Sequence, residues 1–206
     1  MTVQAVRAGD RPADAAAEAA EDARLVAAAA AGDRRMFAAL YRRHMVGVYQ
    51  RLTRMIGPVP ERDDLVQQIF LDVHRALPRF RGDARFSTFL YRIVVNVACE
   101  HLAGARRGAK RTRPLEREDI EAMVAPDASP EARARQRQEL ARVFARLDDL
   151  SPKRRVAFVL VAVEGMSLGE AGAILGATPD AVKQRVREAR HELALARGPI
   201  EQEGPS

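Results

Sequence analysis

The sequence has a single cysteine, Cys99, and it lacks any apolar run long enough to cross a membrane. One cysteine cannot form an intrachain disulfide, which excludes a disulfide-stabilised fold and favours a reducing, cytoplasmic compartment. The N-terminal stretch contains acidic residues such as Asp10, Asp14 and Glu18, which argues against a signal peptide. We therefore expect a cytoplasmic protein with no direct membrane insertion.

Lysine is also rare and occurs only at Lys110, Lys153 and Lys183, yet the formal net charge is +6. The positive charge therefore comes almost entirely from arginine. A basic excess favours a polyanionic partner, although it does not distinguish DNA from RNA or from a membrane surface. With 47% hydrophobic and 30% charged residues, the composition is that of a soluble globular protein.

Strand-like alternation is absent, and apolar residues recur at helical spacing along most of the chain. Caps and breakers predict helices from Asp33 to the "GPVP" at 57–60, from Asp64 to Leu77, and from Ser87 or Thr88 to Leu102. Further helices are predicted after the Ser129 and Ser151 caps. We expect an all-α fold of two small helical domains joined by a flexible linker. The predicted divisions are a disordered or loosely helical tail (1–22), a first domain (23–104), a linker (105–128), a second domain (129–197) and a C-terminal tail (198–206).

The linker is long enough to matter for DNA binding. About 25 residues can extend to roughly 80 to 90 Å. This is the rise of roughly 25 base pairs at about 3.4 Å each. The two domains could therefore contact DNA more than two helical turns apart.

The segment 167–185, "SLGEAGAILGATPDAVKQR", has the pattern of a helix-turn-helix. Ser167 and Glu170 form a capping box, and Gly176 is placed to end the first helix in a left-handed conformation. Thr178 and Pro179 then start the second helix. Its predicted buried face is Val182, Val186, Ala189 and Leu193, and its outer face is Asp180, Lys183, Gln184, Arg187 and His191. The pattern predicts DNA recognition in the major groove, with an ordinary helical hairpin as the alternative.

Three blocks together resemble one family. They are "AGDRRMFAALYRRH" (31–44), "DLVQQIFLDVHRALPRFRGDARFSTFLYRIVVNVACEHL" (64–102) and "LSPKRRVAFVLVAVEGMSLGEAGAILGATPDAVKQRVREARHEL" (150–193). From about residue 23 to 195 the chain resembles an extracytoplasmic-function (ECF) sigma factor, a promoter-recognition subunit of bacterial RNA polymerase. The middle block is the specific part, because the helix-turn-helix alone is also similar to the DNA-binding ends of many response regulators.

The resemblance implies three binding regions. The core-polymerase region, facing the clamp helices of the largest subunit, would be Asp64, Gln67, Gln68 and Phe70, with Gln68 where the family usually has Glu. The region that captures the minus-10 element as single-stranded DNA would be Arg81, Asp83, Arg85, Phe86, Arg92 and Asn96. The helix that reads the minus-35 element would use Thr178, Lys183, Gln184, Arg185, Arg187 and Arg190.

The residue types fit these roles, but simpler readings stay open. A flipped base needs donors and acceptors for its edge and a basic surround for its phosphates. The loop–helix junction supplies these residue types with Gly82, Asp83, Arg85 and Asn96. Alternatively, Asp83 or Ser87 only caps a helix, and Phe86 and Phe89 are core residues. Any single Arg of the last helix could contact phosphate or solvent with no base preference.

The same resemblance implies core RNA polymerase and promoter DNA as partners, and an anti-sigma protein as an inhibitor. An autonomous helix-turn-helix regulator that binds duplex DNA is the alternative. Catalysis is not expected, because His44, His74, His101 and His191 lie on different segments and no metal-ligand spacing, nucleophile motif or phosphate loop occurs. We expect no cofactor and no metal.

Overall fold

A computed structural model of the chain describes residues 12–107 and 129–195, which contain helices and no strand. The first module comprises α1 (Pro12–Ala30), α2 (Arg34–Ile56), α3 (Arg62–Ala76) and α4 (Phe86–Arg107). The second comprises α5 (Pro130–Asp149), α6 (Pro152–Phe158), α7 (Leu168–Leu175) and α8 (Pro179–Leu195). A 3₁₀ turn, Leu77–Arg79, follows α3, and a π-helical turn, Val159–Val163, continues α6. The all-helical prediction is confirmed.

The predicted N-terminal tail (1–22) differs from the structure. From Pro12 onward its residues belong to the regular helix α1. The carboxylate of Asp22 accepts a hydrogen bond of 2.9 Å from Arg43 Nε on α2 and lies 3.0 Å from His44 Nε2. Leu25 and Val26 are buried beside this contact. The alanine-rich segment therefore gains a tertiary anchor that its composition alone does not indicate. Residues 1–11 lie outside the described residues.

Most helix ends follow the local signals in the sequence. The side chain of Asp33 accepts hydrogen bonds from the main-chain N–H of Arg35 at 2.8 Å and of Met36 at 3.2 Å, and Gly57 ends α2 with φ of 89°. The predicted linker (105–128) begins three residues too early, because α4 continues to Arg107. The rest of it, 108–128, lies outside the described residues, as does the predicted C-terminal tail.

The two modules are packed against each other. One cluster of buried apolar side chains includes Leu52 and Val94 of the first module together with Val156, Leu160 and Ile174 of the second. A smaller cluster inside the second module is formed by Phe144, Leu147, Leu150 and Ala189. As a result, α4 lies against both α6 and α7.

Candidate nucleic-acid interface

An open cavity of about 650 Å³ lies between the end of α3, the loop that follows it and the first turns of α4. Its lining is Asp72, Arg75, Ala76, Arg79, Phe80, Arg81, Asp83, Ala84, Thr88, Phe89 and Arg92. Four of these residues are arginines and two are aspartates, so positive charge is in excess. The rings of Phe80 and Phe89, with centroids 4.8 Å apart, add an apolar wall.

Three of the six residues predicted for this region line the cavity: Arg81, Asp83 and Arg92. Asn96 is exposed one helical turn beyond Arg92, on the same side of α4. Arg85 is exposed at the start of α4, where its carbonyl accepts hydrogen bonds from the N–H groups of the first turn.

Phe86 does not reach the cavity. Its side chain is 5% exposed, and its ring packs edge-on against His44 with centroids 5.2 Å apart. Phe86 is therefore a core residue, as the alternative interpretation of the sequence predicted. The aromatic side chains at the cavity are Phe80 and Phe89.

The end of α3 also contributes to the cavity, which the sequence pattern did not predict. Asp72, Arg75 and Arg79 are spaced three and four residues apart, which places them along one side of α3 and its 3₁₀ extension. The signal available in the sequence was this i, i+3, i+7 spacing, which places the three side chains on the side of the helix end that adjoins the arginine-containing loop.

The exposed face of α3 has the polar character that the resemblance implies. Asp64, Gln67 and Gln68 are all exposed, and the amide of Gln68 donates a hydrogen bond of 2.9 Å to Asp72 Oδ1. Leu71, with 52% of its surface exposed, lies one turn farther along the same face.

Phe70 departs from the prediction for this face. Only 4% of its surface is exposed, and its ring packs against Tyr41 with centroids 4.5 Å apart. The reason is helical geometry: Ile69, Phe70 and Val73 share the buried stripe of α3, whereas Gln67 and Gln68 lie outside it.

The last helix presents the expected polar face. Lys183, Gln184, Arg187 and Arg190 are exposed, and Arg185 is half-buried. Thr178 has a structural role, since its Oγ1 accepts a hydrogen bond of 3.2 Å from Ala181 N. This confirms its predicted capping function at the start of α8.

A chain of polar contacts constrains the middle of α8. The Gln184 amide donates to Glu188 Oε1 at 2.6 Å, and Arg154 of α6 donates to Glu188 at 2.7 Å and to Glu192 at 2.5 Å. The hydrogen bond from Gln184, with that from Arg154, lowers the pKa of Glu188 below its ordinary range. A base or phosphate that takes this N–H of Gln184 must therefore compete with a carboxylate on the same helix.

The turn of the helix-turn-helix has the predicted geometry. The capping box is present, because Ser167 Oγ accepts from Glu170 N at 3.2 Å and the Glu170 carboxylate accepts from Ser167 N at 2.9 Å. Gly176 has φ of 58°, in the left-handed region. Gly172 is required for a different reason: a Cβ there would lie 2.6 Å from the carbonyl oxygen of Ala177.

No catalytic centre emerges from the described residues. They contain no group of three or more His, Cys, Asp or Glu placed to hold a metal ion. Burial raises the pKa of the Cys99 thiol and lowers the pKa of His101, so neither group has the features of an activated nucleophile and base. In the part of the chain that the structure covers, no helix combines the length and apolarity that a membrane span requires.

Comparison with known proteins identifies the family. The family model for Sigma-70 region 2 matches residues 40–108, and that for the sigma-like domain of the response regulator PhyR matches 147–195. The chain is 36% identical over 178 residues to the ECF RNA polymerase sigma factor SigM of Mycobacterium tuberculosis, covering 86% of this chain and 85% of that protein. The chain belongs to the ECF sigma factor family. It is also 37% identical over 177 residues to the RNA polymerase sigma factor CnrH of Cupriavidus metallidurans, covering 82% of this chain and 91% of that protein.

The fold of this sigma factor is similar to a solved relative. The structure of CnrH in complex with the cytosolic domain of CnrY matches with a TM-score of 0.60 and 33% identity, over 85% of this chain and 96% of that one. A sigma factor directs core RNA polymerase to promoters for transcription initiation, and sigma factors as a class are not enzymes. The autonomous regulator is not favoured, because the region 2 match includes α3, the cavity and α4, which such a regulator does not need.

Proposed function

We propose that the cavity of this sigma factor captures unpaired bases of the minus-10 element. The observation that carries the proposal is the combination of four arginines with two half-buried phenylalanine rings in one open cavity of about 650 Å³. Arginines neutralise phosphates along a single strand, and aromatic faces stack bases without regard to sequence. Asp72, Asp83 and Thr88 supply acceptors and a hydroxyl for the edge of a base that has left the stack.

The exposed face of α3 is the proposed contact with the polymerase clamp. Asp64, Gln67 and Gln68 offer hydrogen-bonding groups, and Leu71 adds an apolar side chain beside them. A single exposed leucine is ordinary on a protein surface, so the polar side chains and the family membership carry this assignment. Phe70 supports this face from below by fixing α3 against α2.

In the second module, α8 is the proposed reader of the minus-35 element. Lys183, Gln184 and Arg187 would point to bases or phosphates of the major groove, with Arg185 and Arg190 flanking toward the backbone. We place the domains as first expected, except that α1 joins the first domain and α4 extends that domain to Arg107.

We also propose that an anti-sigma protein inhibits this factor, as the solved complex of CnrH with the cytosolic domain of CnrY suggests by analogy. The chain itself is proposed to catalyse no reaction and to need no cofactor.

Run-off transcription tests the function directly. Purified core polymerase with and without this protein is given fragmented DNA from the native genome, and the new transcripts are mapped. Start sites that share two spaced upstream motifs support the proposal and give the promoter. Silence from folded, inhibitor-free protein contradicts it.

The cavity is tested on such a promoter by permanganate reactivity of unpaired thymines. We expect Arg81→Ala to reduce opening roughly ten-fold or more, because one phosphate-neutralising or base-contacting group is lost. Arg135→Ala, at an exposed arginine of α5, is the matched control and should open the promoter normally. Equal opening by both variants would assign Arg81 no part in strand capture.

A further inference from the structure

A chain of four polar side chains joins α6 to the outer face of α8. Arg154 of α6 donates from Nε to Glu188 Oε2 at 2.7 Å and from Nη1 to Glu192 Oε1 at 2.5 Å. The other carboxylate oxygen of Glu188 accepts a hydrogen bond of 2.6 Å from the amide nitrogen of Gln184. Arg154, Glu188, Glu192 and Gln184 are called the Arg154 chain below. The chain therefore ends on a residue of the surface that is proposed to meet the minus-35 element.

The Arg154 chain lies at the edge of the contact between α6 and α8. Gln184, Glu188 and Glu192 are spaced four residues apart, which places them along one side of α8. The side chains of Arg154, Glu188 and Glu192 are 37%, 34% and 35% exposed. Ion pairs with this much exposure contribute little to stability. The free energy of folding therefore gains little from the chain, whereas the Gln184 side chain is held in place by it.

The guanidinium also balances charge on a helix that is proposed to enter DNA. Glu188 and Glu192 repel each other at this spacing, and both would repel the phosphates. Arg154 offsets one of the two charges and holds both carboxylates through separate N–H groups. The hydrogen bonds from Gln184 and Arg154 lower the pKa of Glu188, so this carboxylate is ionised at neutral pH.

An ionised carboxylate can only accept hydrogen bonds, and this property fixes the orientation of the Gln184 amide. A flipped amide would place its carbonyl oxygen against an oxygen of Glu188. In the observed orientation Gln184 keeps one further N–H and its carbonyl oxygen for another partner. One donor beside one acceptor is the pattern that adenine requires in the major groove, where N7 accepts and N6 donates. Guanine presents two acceptors, N7 and O6, so its O6 would meet the carbonyl oxygen of Gln184.

We propose that Gln184 reads an adenine of the minus-35 element, and that Arg154 is the positioning residue that fixes the Gln184 amide for this base through Glu188. The inference rests on the proposed function of α8. Arg154 needs no contact with DNA in this role. Base preference at one promoter position thus depends on a side chain of another helix, α6, as well as on the outer face of α8.

Holoenzyme binding to a mapped promoter and to its single-base minus-35 variants tests the proposal. We expect the wild type to prefer adenine to guanine at one position by roughly ten-fold or more, and Gln184→Ala to lose this preference. Arg154→Ala keeps Gln184 but releases its amide. It should lower the same preference by roughly three-fold or more and leave the other positions unchanged. Arg142→Ala, at an exposed arginine of α5, is the matched control and should keep every preference.

Glu188→Gln separates positioning from a general effect on the structure. The introduced amide has nearly the same size, but it can flip and so no longer dictates the orientation of Gln184. The change also removes a negative charge from α8, so binding should strengthen at all sequences while the adenine preference falls. Loss of a merely structural contact would instead weaken binding by the same factor at every sequence. Glu139→Gln, at an exposed position of α5, is the control for the charge change.

Circular dichroism checks that each variant folds, and Glu188→Gln decides the matter if Arg154→Ala loses its helicity. Three results would overturn the proposal. They are an undiminished preference in Arg154→Ala and Glu188→Gln, a preference that survives Gln184→Ala, and a base other than adenine at the position that responds to Gln184→Ala.

Run-off transcription distinguishes this failure from a failure of the proposed function. A wild type that starts transcription downstream of two spaced motifs, but gives one of the three results above, keeps its function and loses only the positioning role of Arg154 or the adenine contact. A silent wild type loses both.

Discussion

The guanidinium of Arg155 in α6 donates a hydrogen bond of 2.5 Å to the main-chain carbonyl of Met55, one hundred residues earlier in the chain. Met55 lies in the last turn of α2, where carbonyl groups have no partner within the helix. A cation at this end also interacts favourably with the helix dipole. Arg155 is 1% exposed and also donates a hydrogen bond to Asp148. This one side chain therefore caps the C-terminal end of α2 and attaches the second module to it.

Replacing Arg155 should therefore destabilise the protein. We expect Arg155→Ala to cost about 3 kcal/mol in the free energy of unfolding, because it leaves a cavity and an unpaired carbonyl. Arg155→Met keeps most of the volume and should cost less, about 1 to 2 kcal/mol. Urea denaturation followed by circular dichroism measures both. Equal and negligible costs would show that the bond to Met55 contributes nothing to stability.

Gly169 and Gly172 lie in the same short helix, α7, and should respond oppositely to alanine. At Gly169 the nearest atom to an added Cβ is Ser167 Oγ at 4.0 Å, so Gly169→Ala should stabilise the protein by about 0.5 to 1 kcal/mol. At Gly172 the Cβ would lie 2.6 Å from the Ala177 carbonyl, which forces the backbone apart. We expect Gly172→Ala to cost about 2 kcal/mol or more.

Thermal and urea unfolding of the two alanine variants gives a paired measurement with the same chemical change. A stabilising effect at both positions would mean that the turn relaxes without cost. A loss at both would mean that α7 tolerates no added methyl group, contrary to the open space around Gly169.

The local parts of this fold were readable from the sequence because each depends on residues a few positions apart. The Ser167 capping box, the left-handed Gly176 and the Thr178 cap all fall where the pattern predicts them. The same holds for Asp33 at the start of α2. Such signals require only the helix geometry of one segment.

The non-local parts were not readable. The attachment of α1 includes the contact of Asp22 with Arg43, and the docking of the modules includes the contact of Glu164 with Tyr91, 73 residues earlier. Phe70 is a different case, because helical periodicity alone places it with Ile69 and Val73 on the buried stripe of α3, and only the resemblance assigned it to the face of the two glutamines. One sequence without tertiary information does not contain these distances.

The pKa of Glu188 should depend on the side chains of Gln184 on α8 and Arg154 on α6. Its pKa is lowered from the ordinary value of 4.5 by the hydrogen bonds from Gln184 and Arg154. Because the pKa is lowered, these contacts stabilise the folded state at pH values above the ordinary pKa. This stabilisation is lost as the pH falls through the lowered pKa. We expect Gln184→Ala and Arg154→Ala each to raise the pKa of Glu188 toward 4.5.

Carboxyl-carbon NMR titration of the full chain measures this shift at single residues. Arg135→Ala, on α5, serves as the control and should leave the titration of Glu188 unchanged. An unaltered titration in both test variants would indicate that the polar chain on α8 is not populated in solution, and that Gln184 is free to meet DNA without competition.

The role of Arg187 can be decided by the salt dependence of promoter binding. Arg187 is exposed in the middle of α8 without an acidic side chain bonded to it in the described contacts. If it contacts phosphate, Arg187→Ala should lower the slope of log K against log salt by about 1 and weaken binding equally at all promoters. If it reads a base, the slope changes little while discrimination at one position falls by about 1 to 3 kcal/mol.

The measurement is holoenzyme binding to a mapped promoter and to its single-base variants across a salt series. It separates the two outcomes because only a phosphate contact releases counterions. A variant that alters neither slope nor discrimination would remove Arg187 from the interface and would leave Lys183 and Gln184 as the residues through which α8 meets the groove.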